Sequence, residues 1–279
     1  MFRSGLIGRS ILASRSPWLH EREAAAQGFA LTYDLFDFTA RGLADSELPA
    51  LLARLVAEGY AGLNVTYPFK QAVMALLDDL ADTALAAGAV NTIAMRDGRM
   101  IGHNTDMAGF ADSLSRGLPG AALGRVLQLG AGGAGSAVAG ALLSRGVQRL
   151  DLADPDPERA GALAERLNRW AGAARVFPVA MAALDTAGVD GIVNASPVGM
   201  AAHPGLPLAE TLLAPHHWVA DIVYFPLETA LLTAARARGC RTLNGSGMVI
   251  AQAALAFEII TGHAADQARV AASFAAFEV

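Results

Sequence analysis

The sequence predicts an α/β protein made of two successive strand–helix series. Three observations carry that expectation. Short β-branched and apolar runs alternate with Ala/Leu-rich helical stretches along the chain. One of those runs is followed by a glycine-rich turn that opens a helix. At 279 residues, 53% hydrophobic and 17% charged, the chain has material for two cores of ordinary domain size.

In the first series, residues 6–7, 31–36 and 62–66 read as strands. Residues 18–27, 48–58 and 70–85 read as the helices between and after them. Residues 89–94 and 99–102 flank Asp97-Gly98, a hairpin-turn signal. A change of character over residues 106–120 suggests the domain boundary. The second series has strands at 126–129, 150–153, 191–194 and 218–223, with a helix from 136 to 145 after the first. Two apolar helical segments, 248–260 and 265–277, close the chain.

Bulk composition excludes several function classes. A net charge of −5 gives no basic footprint for nucleic acid, and no block of like charges suggests a membrane patch. Cys240 is the sole cysteine, so neither an intramolecular disulfide nor a cysteine-based zinc site can form. His216-His217 has no carboxylate or cysteine partner at ligand spacing, so no metal is expected. The opening residues do not read as a signal peptide, and no apolar run approaches a membrane span. The expectation is a soluble cytoplasmic protein with no membrane partner, monomeric or homodimeric.

The strand at 126–129 leads into Gly130-Ala131-Gly132-Gly133-Ala134-Gly135 and then a helix. This is G-x-G-x-x-G in the context that gives it meaning. Gly130 makes the tight turn, Gly132 admits a pyrophosphate to the backbone, and Gly135 lets helix and strand pack closely. The helix N-terminus then offers unpaired N–H groups and a positive dipole end. The next strand ends at Asp154, where a carboxylate accepts from ribose hydroxyls and repels a 2′-phosphate. Asp156 adds a second negative charge, and Arg159 is the one close cation. The pattern favours NAD and disfavours NADP.

One lysine, Lys70, stands against twenty arginines. An ammonium can release a proton near neutral pH where a guanidinium cannot, so Lys70 is a candidate for proton transfer. It ends Asn64-Val65-Thr66-Tyr67-Pro68-Phe69-Lys70, at a strand-to-helix junction of the kind where ligands bind. Two more polar clusters interrupt apolar surroundings: Ser14-Arg15-Ser16-Pro17, and Gly88 to Thr92 with Gly102 to Asp106. Singly, Ser14 and Ser16 also read as turn residues, Asp106 as a helix cap and Gln252 as a surface position. His103 faces away from Asp106 if the segment is extended, and reads as structural.

Taken in order, these motifs resemble the shikimate dehydrogenase family over essentially the whole chain. The set is S-x-S-P, N-V-T-x-P-x-K, G-A-V-N-T, G-x-N-T-D, the glycine-rich turn, N-A-S-P-x-G-M, D-x-x-Y-x-P and G-x-x-M-x-x-x-Q. The resemblance implies an α/β substrate domain over 1–108 and 246–279, a Rossmann domain over 109–245, and an active site in the cleft between them. It implies Lys70 and Asp106 as the catalytic pair. Ser14 and Ser16 would hold the substrate carboxylate, and Thr66, Asn91, Tyr224 and Gln252 its ring hydroxyls or carboxylate. Asn194, Ser196, Ile222 and Gly245 would line the cofactor, with Met200 and Met248 near the nicotinamide. The implied substrate is a small polyhydroxy cyclic carboxylate, shikimate or quinate, oxidised at the C3 alcohol in the shikimate pathway or in quinate breakdown.

This chain has Asp154-Pro155-Asp156 where NADP-using members carry an Asn-Arg-Thr cluster, which resembles the NAD-using quinate/shikimate branch. Serine at position 16, threonine in some quinate-active members, favours shikimate. Three alternatives stay open: an NADP-dependent biosynthetic enzyme, a dehydrogenase for a related polyol acid, and a dinucleotide sensor without turnover.

Overall fold

The computed structural model describes residues 1–276. The chain divides into two compact units, Met1–Thr105 with the residues from Ile250 onward, and Asp106–Val249. The sequence suggests divisions at 108/109 and 245/246. In the structure both junctions fall inside helices, at the first residue of one (Thr105–Gly117) and in the second turn of another (Ser246–Thr261).

The first unit is built on strands β1 (Phe2–Gly8), β2 (Leu31–Asp37), β3 (Gly62–Val65), β4 (Asp79–Leu80), β5 (Thr92–Arg96) and β6 (Arg99–His103). Their order in the sheet is β2-β1-β3-β5-β6-β4. β1 runs parallel to β2 and β3; β5 is antiparallel to β3 and β6; β4 runs parallel to β6. The interior strand β1 is buried from Ser4 to Gly8, as a parallel strand covered on both faces must be.

Helices of this unit start and stop where local chemistry dictates. α1 (Ser16–Ala26) begins two residues earlier than the pattern suggests, because Pro17 fits the first helical turn. α2 (Leu48–Ala57) buries Leu48, Leu51, Leu52 and Leu55, an i, i+3, i+4, i+7 stripe. Residues 70–85 do not form the single helix expected. They form α3 (Phe69–Ala72), a 3-10 turn (Val73–Leu76), β4, and α4 (Asp82–Ala87). The cause is Asp78: its backbone N–H donates to the Met100 carbonyl at 3.0 Å and its carboxylate accepts from the Met100 N–H at 2.7 Å. That pair draws the segment onto the edge of β6 instead of letting it continue as helix. Phe69 is 2% exposed and packs on Phe38 with ring centroids 4.5 Å apart. Burial of such a ring contributes about 2–3 kcal/mol and anchors the turn that carries Lys70.

α5 (Thr105–Gly117) leads into the second unit. There β7 (Arg125–Leu129), β8 (Arg149–Ala153), β9 (Val176–Val179), β10 (Gly191–Asn194), β11 (Trp218–Asp221) and β12 (Arg241–Leu243) form one sheet, interleaved with α6 (Gly133–Ser144), α7 (Pro157–Ala171) and α8 (Ala230–Ala237). The order is β12-β11-β10-β7-β8-β9, every pair parallel. Counted from β7 as first, this is the 3-2-1-4-5-6 order of a Rossmann sheet. The edge strands β9 and β12 were not expected. β9 carries Pro178, which only an edge tolerates, and β12 is three residues long.

α9 (Ser246–Thr261) and α10 (Gln267–Ala276) end the described chain. In the first unit Phe257 packs near His20 and Phe29, and Trp18 Nε1 donates to the Ser273 carbonyl at 3.0 Å. Among the described residues no helix is long and apolar enough to cross a membrane, and no cluster of His, Cys, Asp or Glu could hold a metal ion.

Candidate active site

In the first unit, the sheet order turns at β1, whose two parallel neighbours lie on opposite sides. Ligands bind beyond the carboxyl ends of strands at such a point. Ser14 and Ser16 follow β1, and Thr66 and Lys70 follow β3. Because β5 runs antiparallel, its start lies at the same edge, with Thr92 opposite Asn64. β6 ends there too, with His103 opposite Thr92. Topology therefore gathers Ser14, Ser16, Thr66, Lys70, Asn91 and Thr105 at one sheet edge, and Asp106 follows directly in sequence.

Ser14 and Ser16 are half-buried, their hydroxyls 3.2 Å apart, and the Ser16 N–H donates to Ser14 Oγ at 3.3 Å. Lys70 is half-buried. Its carbonyl accepts from the Val90 N–H at 2.8 Å, which ties the lysine turn to the segment carrying Asn91. Asn91 is 5% exposed. Its Nδ2 donates to Thr105 Oγ1 at 3.0 Å, and its Oδ1 accepts from the Thr105 N–H at 2.8 Å. Asp106 is 5% exposed in the first turn of α5, where a helix N-terminus favours a carboxylate. Gln252 is half-buried on α9.

Four residues outside the expected set, Tyr33, Asn64, Thr92 and His103, complete this arrangement. The Tyr33 hydroxyl, in a 5% exposed residue, donates to Asn64 Oδ1 at 2.8 Å. Asn64 Nδ2 then donates to Thr92 Oγ1 at 3.0 Å and the Asn91 carbonyl at 3.2 Å. Burial, eased slightly by a hydrogen bond with Ser16, raises the Tyr33 phenol well above its ordinary range, so it stays a neutral donor. His103 is half-buried, its carbonyl accepts from the Asn91 N–H at 3.1 Å, and burial lowers its imidazole pKa.

In the second unit the corresponding point lies between β7 and β10. Gly130 sits at φ +104°, and a side chain there would meet the Ala195 carbonyl oxygen at 2.6 Å. At Gly135 a Cβ would fall 2.2 Å from the Gly130 oxygen. Gly132, Gly133 and Ala134 are exposed, and nothing lies within 4 Å of a Cβ built on either glycine. Buried Asp154 accepts from the Ala131 N–H at 2.7 Å on one oxygen and from the Asp156 N–H at 2.8 Å on the other. Arg159, half-exposed, lies 3.5 Å from Asp154 and 3.2 Å from Asp156.

Asn194 is 0% exposed and used internally. Its Oδ1 accepts from the Ser196 hydroxyl at 2.7 Å; its Nδ2 donates to the Val198 carbonyl at 2.8 Å and Asp221 Oδ1 at 2.9 Å. The Thr229 hydroxyl donates to Asp221 Oδ2 at 2.7 Å. Burial raises the Asp221 carboxyl pKa despite its donors Thr229, the Val223 N–H and Asn194. Asp221 thus ties the end of β11 to Asn194 at the end of β10, and Thr229 braces Asp221 from eight residues further on. The Ile222 N–H donates to the Asn194 carbonyl at 3.0 Å, and a Cβ on Gly245 would strike the Ile222 oxygen at 2.4 Å. Met200 and Tyr224 are exposed at 43% and 48%, whereas Met248 is buried at 7%.

A Rossmann unit joined to an α/β unit with a polar switch-point edge defines the class as a two-domain dinucleotide-dependent fold. The family profile for the shikimate dehydrogenase substrate binding domain matches residues 6–93. The chain is 52% identical to the shikimate dehydrogenase (NADP(+)) of Streptomyces avermitilis, over 97% of this chain and 94% of that one. It is 47% identical to the quinate/shikimate dehydrogenase (NAD(+)) of Corynebacterium efficiens, covering 97% and 96%. The structure of quinate dehydrogenase from Corynebacterium glutamicum in complex with NAD superposes with a TM-score of 0.94, at 45% identity and 99% of each chain. The chain belongs to the shikimate dehydrogenase family.

Proposed function

We propose that this chain is an NAD-dependent dehydrogenase interconverting shikimate and 3-dehydroshikimate, with quinate and 3-dehydroquinate as a second pair. The observation that carries the reading is the gathering of Ser14, Ser16, Thr66, Lys70 and Asn91 at one sheet edge. A polyhydroxy carboxylate leaves water only where each of its hydroxyls finds a partner, and hydroxyl, amide and ammonium groups are those partners. Ser14 and Ser16 donate to the substrate carboxylate. Thr66, Asn91, Tyr224 and Gln252 meet its hydroxyls. Lys70 takes the C3 hydroxyl proton during oxidation and returns it during reduction, while Asp106 orients both.

The residues of the second unit fit a dinucleotide. Gly132 and Gly133 leave open space where a side chain would stand, at an α6 terminus with no side-chain cap. Gly130–Gly135 would hold its pyrophosphate and Asp154 its adenosine ribose, since Asp154 Oδ2, which accepts from the Ala131 N–H, can accept a second donor. When bound, the nicotinamide supplies the hydride acceptor or donor. Ser196, Ile222, Gly245, Met200 and Met248 are proposed to line its other half, and Asn194 to shape that loop from within.

NAD is favoured over NADP by two carboxylates at the end of β8. The guanidinium of Arg159, which would meet a 2′-phosphate, is already shared between them. The test is initial rates on shikimate and quinate, each with NAD and NADP. Rates with NAD well above NADP are expected; the reverse overturns the cofactor assignment, as the Streptomyces relative's name would have it. Lys70→Ala should lower turnover by roughly three orders of magnitude while NAD still binds; unchanged turnover sinks the catalytic assignment. The same reading puts the enzyme in the cytoplasm, as a monomer or homodimer.

A further inference from the structure

A wholly buried polar side chain lies directly beneath the glycine-rich turn. Gln128 belongs to β7, between Leu127 and Leu129, and is 0% exposed. Its Nε2 donates to the Gly130 carbonyl at 2.8 Å and to the Gly135 carbonyl at 2.7 Å. One carboxamide therefore joins the first and last glycines of the fingerprint, using both of its N–H donors. The amide orientation follows from its partners, since the reverse would set its oxygen against two carbonyl oxygens. The missing side chain of Gly135 is what admits it: a Cβ there would stand 3.2 Å from Gln128 Nε2.

Nothing about the sheet itself calls for an amide here. An all-parallel strand covered on both faces is filled most cheaply by an aliphatic residue. Gln128 Oε1 is buried without a hydrogen-bond partner, which costs stability. Its two bonds instead fix the turn. The Gly130 and Gly135 carbonyls point inward to Gln128, and the Gly130 and Ala131 N–H groups are taken by the Ala153 carbonyl and Asp154. Exposed Gly132, Gly133 and Ala134 remain to face a ligand.

We propose that Gln128 is a positioning residue for cofactor binding, holding the turn in its pyrophosphate-receiving form before any ligand arrives. The inference rests on the dinucleotide reading above. It assigns Gln128 to the phosphates specifically, not to the adenosine or to the substrate.

The experiment compares wild type with Gln128→Met, which keeps the volume and removes both bonds. Binding of ADP-ribose, binding of adenosine and the KM values for NAD and shikimate are measured. In Gln128→Met, ADP-ribose binding and the KM for NAD should weaken about tenfold or more, with adenosine and shikimate within about twofold. Equal weakening of ADP-ribose and adenosine, or no weakening of either, overturns the proposal. If Gln128→Met does not fold, Gln128→Asn, one methylene shorter and unable to reach both carbonyls, takes its place with the same expected split. A wild type that binds neither NAD nor ADP-ribose would instead remove the dinucleotide reading itself.

Discussion

His20 is 3% exposed, with its ring 4.8 Å from that of Tyr33 and 5.9 Å from that of Phe257. Burial pushes its pKa down to about 4 from 6.5, so the folded protein holds it neutral. The unfolded chain binds this proton more readily, so the contribution of His20 to stability falls as pH drops from 6.5 toward 4 and is constant above that window. At 1.36 kcal/mol per pH unit the loss reaches about 3 kcal/mol. His20→Phe should flatten the dependence of Tm on pH across that window; an unchanged slope would mean other groups set it. Single residues also mark how far the site could be read from sequence. Lys70 stood out by rarity, and Asp154 by its distance from the glycines. Tyr33, Asn64 and Thr229 did not, because their roles come from partners brought in by folding: Tyr33 meets Asn64 across 31 positions, and Thr229 meets Asp221 across 8.

At the scale of elements, the glycine-rich turn separates two kinds of glycine. Gly132 has φ −72° and open space at its Cβ position, so an alanine is accommodated by the fold. Gly132→Ala should leave Tm within about 2 °C while raising the KM for NAD about tenfold or more, since under the proposed reading the methyl would occupy the approach of the pyrophosphate. Gly135→Ala forces a carbon against a backbone oxygen at 2.2 Å, which cannot swing aside. It should lower Tm by on the order of 10 °C as well as weaken NAD. Similar melting curves for the two variants would contradict this division. Strand–helix alternation was legible wherever apolar runs were bounded by glycine or proline, as at β3, β7 and β10. It failed at residues 70–85, read as one helix, where Asp78 and Asp79 serve the edge of β6. It failed at β9 and β12 because an edge strand needs too few apolar residues to announce itself.

On the scale of the whole chain, the first unit is closed by its last residues. Glu23 on α1 is 3% exposed and accepts from Arg269 at 2.8 and 3.0 Å, from the Asp266 N–H at 2.9 Å, and from the Gln27 amide at 2.7 Å. Burial alone would raise its pKa, but these donors together hold it below its ordinary 4.5. Its contribution is therefore present above pH 4.5 and lost as pH falls through its lowered value. Arg269→Ala should reduce Tm by several degrees at pH 7, and by progressively less as pH falls below 4.5; an equal effect at every pH would show that packing rather than charge is at stake. The sequence pattern indicated that the terminal helices are apolar, but Glu23 and Arg269 lie 246 positions apart, beyond any local signal. That separation also sets an order of assembly during synthesis. The residues that meet Trp18 and Glu23 are made after Asp106–Val249, which is contiguous. At roughly 5–20 residues per second, the first unit waits on the order of 10–30 s after Thr105 is made for its closing helices. The unit that holds Met1–Thr105 is thus completed only after Asp106–Val249 has been made, and through that interval its α1 face lacks the cover of α10.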